Sequence, residues 1–167
     1  GGTMISKTMQ DALNAQINAE QYSAQLYLAM SAHCDAKSFK GFASWLKVQA
    51  GKETAHAMKL IDFLLDRDGR LELKPIPAPQ TEFGTITQVF EQTLAHEQGI
   101  TAKISALFEL ARAEKDYASE ITLQWYVSEQ VEEEATVGQI VDHLHAIGEH
   151  GGGIWYLDSK MGKRGQA

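Results

Sequence analysis

The sequence predicts an all-α fold: a four-helix bundle with one long crossover and a short fifth helix at its end. Three observations carry this. Four long segments are almost free of helix breakers. All three prolines fall in one stretch between the second and third of them. Along each segment apolar residues recur at alternating steps of three and four.

The first helix is expected from about Thr8 to Asp35 and the second from about Ser38 to Asp66. The third runs from about Thr85 to Glu114, the fourth from about Tyr117 to Ile147, and a short fifth from about Ile154 to Met161, after the loose Gly151-Gly152-Gly153. The breaks within the first and last pairs are short, so each pair should be an antiparallel hairpin. The stretch Gly69 to Gln80 holds Pro75, Pro77 and Pro79 and cannot be helix, because proline lacks the amide donor and clashes with the preceding turn. A helix of ~28 residues is ~42 Å long, and ~15 extended residues span ~50 Å. The proline-rich stretch can therefore run the length of the bundle, which gives an up-down-down-up topology.

The totals fit one domain. The chain has 167 residues, 22 acidic against 15 basic, and a formal net charge of −7. That balance argues against nucleic acid as a partner, since binding phosphate needs a basic patch. No apolar run approaches the ~20 residues of a membrane span, and no segment reads as a signal peptide. A cytoplasmic protein is expected, and the single Cys34 fits a reducing compartment. Gly1, Gly2 and Thr3, before Met4, read as a cloning remnant ahead of a single domain over residues 4–167.

The apolar seams carry the chemistry. They read Leu13, Ile17, Glu20, Ala24, Tyr27 in the first helix and Phe42, Leu46, Gln49, Glu53, His56, Leu60, Phe63 in the second. The third gives Ile86, Phe90, Thr93, Glu97, Ile100, Ile104, Leu107, and the fourth Leu123, Tyr126, Gln130, Glu133, Val137, Ile140, Leu144. Each seam is interrupted near mid-helix by polar or acidic groups, and four interruptions at similar depth should meet. Burying Glu20, Glu53, Glu97 and Glu133 together costs several kcal/mol per isolated charge, and like charges add repulsion. No Lys or Arg lies on the seams to neutralise them. Protonation or bound cations resolve the conflict. Four carboxylates and one imidazole suit a pair of divalent metals, and oxygen ligands with one nitrogen favour iron or manganese over sulfur-rich zinc sites. Glu53 and His56 form a Glu-x-x-His pair on one helical face.

The segments Asn18-Ala-Glu20-Gln-Tyr22, Glu53-Thr-Ala-His56, His96-Glu97-Gln98 and Gln124-Trp-Tyr-Val-Ser-Glu-Gln-Val-Glu-Glu-Glu134 resemble bacterial and archaeal non-haem ferritins over nearly the whole chain. The resemblance implies a ferritin-like bundle, iron storage and detoxification, and a ferroxidase centre oxidising Fe(II) with O2 or H2O2. It implies one iron site from Glu20, Glu53 and His56 and a second from Glu53, Glu97 and Glu133, with Glu53 bridging. Tyr27 and Gln130 are expected beside them, and Trp125 packs against a neighbour. A third iron on the inner surface would use Glu129 and Glu132, with Glu133. The family often has a glutamate before the bridging one, whereas this chain has Lys52, a cation that opposes a third iron or pairs with Glu129 or Glu132. Glu134 reads as a solvated charge. Asp142, His143, His145, His150, His33 and Cys34 read as surface or packing residues.

The resemblance also implies a homo-oligomer, a hollow 24-chain shell. Outer-face Trp45, Met58 and Leu65 and the apolar Ile154, Trp155 and Leu157 would make subunit contacts. Glu114, Asp116 and Glu120 would line an ion entry pore. The alternative is a di-iron oxidase or peroxidase on the same fold without mineral storage. Such enzymes repeat Glu-x-x-His on the fourth helix, where this chain has Gln130-x-x-Glu133. A haem-binding bacterioferritin carries methionine after the bridging glutamate, and Thr54 there implies no haem. A DNA-protecting mini-ferritin puts iron between subunits, and the end of this chain offers only Lys160, Lys163 and Arg164. A metal-free helical interaction module is the remaining reading.

Overall fold

The computed structural model describes residues 4–165; the expected remnant at residues 1–3 lies outside them. Five helices follow in order: α1 (Lys7–Ala36), α2 (Lys40–Asp66), α3 (Ile86–Ala113), α4 (Tyr117–Ile147) and α5 (Gly152–Met161). No strand occurs among the described residues, and no helix is long and apolar enough to cross a membrane.

Local chemistry starts the long helices. Ser6 caps α1 by accepting from the Met9 amide at 3.0 Å. Thr85 and Gln88 exchange side-chain bonds with each other's backbone in a capping box at α3. The Asp116 carboxylate accepts from the Ser119 amide at the start of α4. The hairpin turns at residues 37–39 and 114–116 each hold a non-glycine residue in the left-handed region, Ser38 at φ 67° and Lys115 at φ 55°.

The contacts fix the directions. Ser23 and His33 of α1 meet His96 of α3 and Gly84 just before α3, and Gln49 and His56 of α2 meet Glu133 and Tyr126 of α4. Rising numbers pair with falling ones in both cases. Helices α1 and α4 therefore run one way, α2 and α3 the other. The extended segment 67–85 follows α1. Asn14 donates to Arg70 O and accepts from the Glu72 amide, Asn18 donates to Lys74 O, and His33 Nε2 lies 2.7 Å from Gly84 O.

Two apolar clusters fill the bundle, one containing Tyr27, Phe42, Phe90 and Val137, the other Leu13, Ile17, Leu60 and Ile104. A belt of polar side chains separates them. Every expected seam residue is buried except Phe63, which is half-buried; its neighbour Leu64 takes the core position.

Three packing expectations need correction. Trp45 is 4% exposed and packs against Phe90 within the chain rather than lying on the outer face. Ile154 and Leu157 are buried against the same chain, because α5 folds back onto α2 and α4; of the three α5 residues only Trp155 is exposed, stacked on Phe39. Gly152 and Gly153 belong to α5 rather than to a loose linker. The docking is close: a Cβ on Gly41 would sit 1.6 Å from Asp158 O, and the Asp158 carboxylate accepts from the Phe42 amide at 2.8 Å. Met58 and Leu65 are exposed as expected.

Candidate metal centre

Each helix brings its interruption to the belt. Helix α1 supplies Glu20 and Tyr27, α2 supplies Gln49, Glu53 and His56, α3 supplies Glu97, and α4 supplies Gln130 and Glu133; all are buried. Donor atoms of Glu20, Glu53 and His56 lie within 4.8 Å of one another, and so do those of Glu53, Glu97 and Glu133. The two groups share Glu53. A third group joins His56, Glu129 and Glu133.

Amide and hydroxyl donors hold the carboxylates. Gln49 Nε2 donates to Glu53 Oε1 at 3.0 Å and to Glu133 Oε2 at 2.8 Å. Gln16 Nε2 donates to Glu20 Oε1 at 3.1 Å, and Gln130 Nε2 to Glu97 Oε2 at 3.1 Å. The Tyr27 hydroxyl donates to Glu97 Oε1. Those bonds engage both oxygens of Glu97 but leave Glu20 Oε2, Glu53 Oε2 and Glu133 Oε1 without an amide donor. Glu20 Oε2 and His56 Nε2 are buried without a hydrogen-bond partner, while Glu133 Oε1 meets the Lys52 ammonium. His56 Nδ1 lies 3.2 Å from Glu53 Oε2 and 3.9 Å from Glu20 Oε2.

The electrostatics are those of crowded anions. Burial, then the neighbouring Glu53 carboxylate, pushes the Glu97 carboxyl up to about 8. Burial also raises Glu53, with Glu20 adding and His56 opposing. Burial lowers His56, but its bonds to Glu20 and Glu53 outweigh this and raise it. Tyr27 is raised well above its usual value by burial and the same carboxylates, so it stays a neutral donor. An orphaned carboxylate oxygen and imidazole nitrogen among acids held this close fit a divalent cation with oxygen and nitrogen preference.

Several residues lie differently from expectation. Lys52 is beside the seam but reaches in: it contacts Glu133 and lies 3.6 Å from Glu129, so it pairs with Glu129 and Glu133 and not with Glu132. The belt is therefore not without a cation. Glu132 is exposed and stands outside all three groups. Glu129 Oε2 instead lies 3.7 Å from His56 Nε2. Glu134 is half-buried and accepts from Thr101 Oγ1 at 2.6 Å rather than being solvated. Trp125 packs within its own chain, edge-on to His56 and under the Lys59 ammonium.

His33 and Cys34 are buried, and Asp142, His143, His145 and His150 are exposed. At one end of the bundle Asp116 is paired to Arg67, Glu114 accepts from Ser6, and Glu120 lies 3.9 Å from Arg112.

Four residues near the centre were given no role by sequence reasoning. Gln49 had a visible signal, since it stands four residues before Glu53 on the same stripe. Gln16 stands four before Glu20 in the same way. His96, whose Nε2 is 2.8 Å from Ser23 Oγ and whose ring packs edge-on to Tyr27, is held down to about 4 by burial and Lys103. Arg164 donates to Gln49 Oε1 at 2.8 Å, and nothing in its sequence position signals this.

Comparison with known proteins supplies the family. The ferritin-like domain of the Ferritin family matches residues 10–147. The chain belongs to the ferritin family. It is 45% identical to the bacterial non-heme ferritin of Campylobacter jejuni over 155 residues, 93% of each chain. It is 40% identical to that of Staphylococcus haemolyticus over 96% of this chain and 97% of the relative. An open pore ferritin from the archaeon Archaeoglobus fulgidus superposes with a TM-score of 0.95 at 45% identity, covering 96% of this chain and 99% of that one. Iron storage, the work of non-haem ferritins, is this ferritin's function, and its polar belt holds carboxylate and imidazole groups suited to metal.

Proposed function

We propose that this ferritin oxidises Fe(II) at a two-iron centre inside each chain and deposits the Fe(III) product in a hollow shell of 24 copies, in the cytoplasm. The observation that carries the reading is the pair of three-donor groups sharing Glu53. Glu20, Glu53 and His56 would hold one substrate iron. Glu53, Glu97 and Glu133 would hold the other, with Glu53 bridging. Two ions sharing a carboxylate sit ~3.5–4 Å apart, a spacing suited to joint reaction with one small oxidant.

The chemistry is electron transfer from the substrate ions. Two Fe(II) give one electron each, and O2 with two protons becomes H2O2, or H2O2 with two protons becomes two waters. The residues bind, orient and neutralise. Tyr27 and Gln130 hold the two oxygens of Glu97, one each, and Gln49 holds Glu53 and Glu133 together. Flanking apolar clusters confine the ions to the belt. The Lys52 ammonium stands where a third ion would approach Glu129 and Glu133, which opposes a third iron there.

Glu53→Ala combined with His56→Ala should abolish fast Fe(II) oxidation and leave assembly intact; retained fast oxidation would sink the site assignment. Aerobic Fe(II) loading at large excess, followed by gel filtration, tests storage. Far more than two irons per chain co-eluting with a large assembly supports the cage. Uptake that stops near two per chain on a small species favours a di-iron oxidase.

A further inference from the structure

We propose that Arg164 is a positioning residue for the metal centre, orienting the Gln49 amide so that its N–H groups face Glu53 and Glu133. The inference rests on the two-metal reading of the belt and adds to it a residue from the far end of the chain, 115 positions from Gln49.

The geometry is specific at both ends of the amide. The Arg164 guanidinium is fixed in three ways. Nη2 donates to Gln49 Oε1 at 2.8 Å, Nη1 donates to Trp45 O at 3.1 Å, and Cζ lies 4.0 Å from the centroid of the Trp45 ring. Gln49 is fully buried, and its Nε2 serves Glu53 Oε1 and Glu133 Oε2 together. A guanidinium has only donors and an ionised carboxylate only acceptors. An amide placed between them satisfies both in one orientation. Turned over, it would set N–H against N–H at Arg164 and oxygen against oxygen at both carboxylates.

This choice decides which carboxylate oxygens remain available. Gln49 engages Oε1 of Glu53 and Oε2 of Glu133. It leaves Glu53 Oε2 on the side of His56 and Glu20, and Glu133 Oε1 on the side of Lys52. Arg164 follows the end of α5, which is seated on α2 through Gly41 and Asp158. The docking of α5 is thereby transmitted to the centre through one side chain and one amide.

A second effect of Arg164 has the opposite sign, which makes the inference testable. Its positive charge by itself repels an incoming cation, so charge acting through space predicts tighter metal binding once it is removed. Positioning predicts weaker binding, because Gln49 loses its orientation and both carboxylates lose a fixed donor. Losing one charge-assisted hydrogen bond sets the scale at about tenfold.

The test is an anaerobic Co(II) titration of the assembled, full-length protein, read by the visible absorption of the bound metal. The proteins are wild type, Arg164→Ala, Arg164→Lys, Gln49→Leu and the Arg164→Ala/Gln49→Leu pair, each checked for assembly by gel filtration. The expected result is about tenfold weaker binding in Arg164→Ala with altered Co(II) bands. Arg164→Lys should recover part of it, since an ammonium donates to Gln49 Oε1 but cannot stack as a plane on Trp45. In the Gln49→Leu background the Arg164 substitution should cause no further loss, leaving only the opposite effect of the removed charge, unchanged or slightly tighter binding.

Unchanged or tighter binding in Arg164→Ala, or an equal loss in the Gln49→Leu background, overturns the proposal. Should the alanine variant not assemble, Arg164→Lys with and without Gln49→Leu completes the same cycle. Glu53→Ala with His56→Ala is the control that separates the two readings. Co(II) bound unchanged in that variant refutes the metal centre itself. Co(II) lost there while Arg164→Ala binds normally refutes the positioning role alone.

Discussion

Lys52→Met should lower the stability of the metal-free protein and tighten its hold on divalent metal, two effects of opposite sign from one lost charge. Methionine keeps the unbranched stem and removes the ammonium. In the native chain that ammonium contacts Glu133 and lies 3.6 Å from Glu129, with the lysine side chain 36% exposed. Burial opposes its charge, but the bond to Glu133 outweighs this and raises its pKa. Opposite unit charges ~4 Å apart attract by ~4 kcal/mol at an effective dielectric of ~20 and by ~1 kcal/mol in water. A side chain exposed by a third falls between, and fixing a long lysine costs side-chain entropy, which leaves about 1–2 kcal/mol. The metal-free protein should lose that amount. A divalent cation taking Glu133 must displace the same ammonium or tolerate it. Binding at Glu53, Glu97 and Glu133 should therefore tighten about five- to thirtyfold in the variant. Anaerobic Co(II) calorimetry and thermal melting with and without metal measure both quantities. Unchanged or weaker Co(II) binding would refute the idea that Lys52 competes with the ion, and an unchanged metal-free melting point would show the pair to be energetically idle.

Gly41→Ala should undock α5. The new Cβ would lie 1.6 Å from Asp158 O, so helix or backbone must shift, a cost of about 1–3 kcal/mol for overpacking; faster hydrogen exchange across residues 152–161 would report it. Ser38→Gly should raise the melting temperature by removing strain of about 1 kcal/mol at φ 67°; a lower midpoint would mean that the Ser38 side chain makes a compensating contact. Asp116→Asn keeps the cap on α4 but weakens the two-point pair with Arg67, at 2.9 and 3.3 Å, for a loss of about 2 kcal/mol at neutral pH. Burial would raise Asp116, yet the bonds from Arg67 and Ser119 hold it below its ordinary 3.8. A depressed carboxyl contributes fully above its unfolded pKa and loses that contribution as pH falls through the folded one. The gap between native and variant melting points should thus close below pH 3.8, and a constant gap would contradict the assignment.

The seams show how far periodicity reaches. Glu20, Glu53, His56, Glu97, Gln130 and Glu133 were legible because each interrupts an apolar stripe, and a stripe at steps of three and four already says which face is buried. The crossover was legible because proline forbids helix and chain length sets the span. Phe63 was misplaced by one residue because a straight stripe drifts against the helix repeat over seven turns. Trp45 was misplaced because aromatic residues suit an outer contact and an inner one equally.

What the sequence determined by itself was the class of fold, the order of the helices and the chemistry of the buried belt. Local rules govern each: capping, breakers, the 3.6-residue repeat and the cost of isolated buried charge. Only the tertiary structure decided which cation reaches that belt and which oxygens face inward. Lys52 bends in from a half-exposed position to Glu133, and Arg164 reaches Gln49 from beyond α5. Those contacts depend on where one helix end falls against another, to within the 3 Å of a hydrogen bond. No spacing along a chain encodes that distance, because long flexible side chains reach several partners and packing alone selects among them.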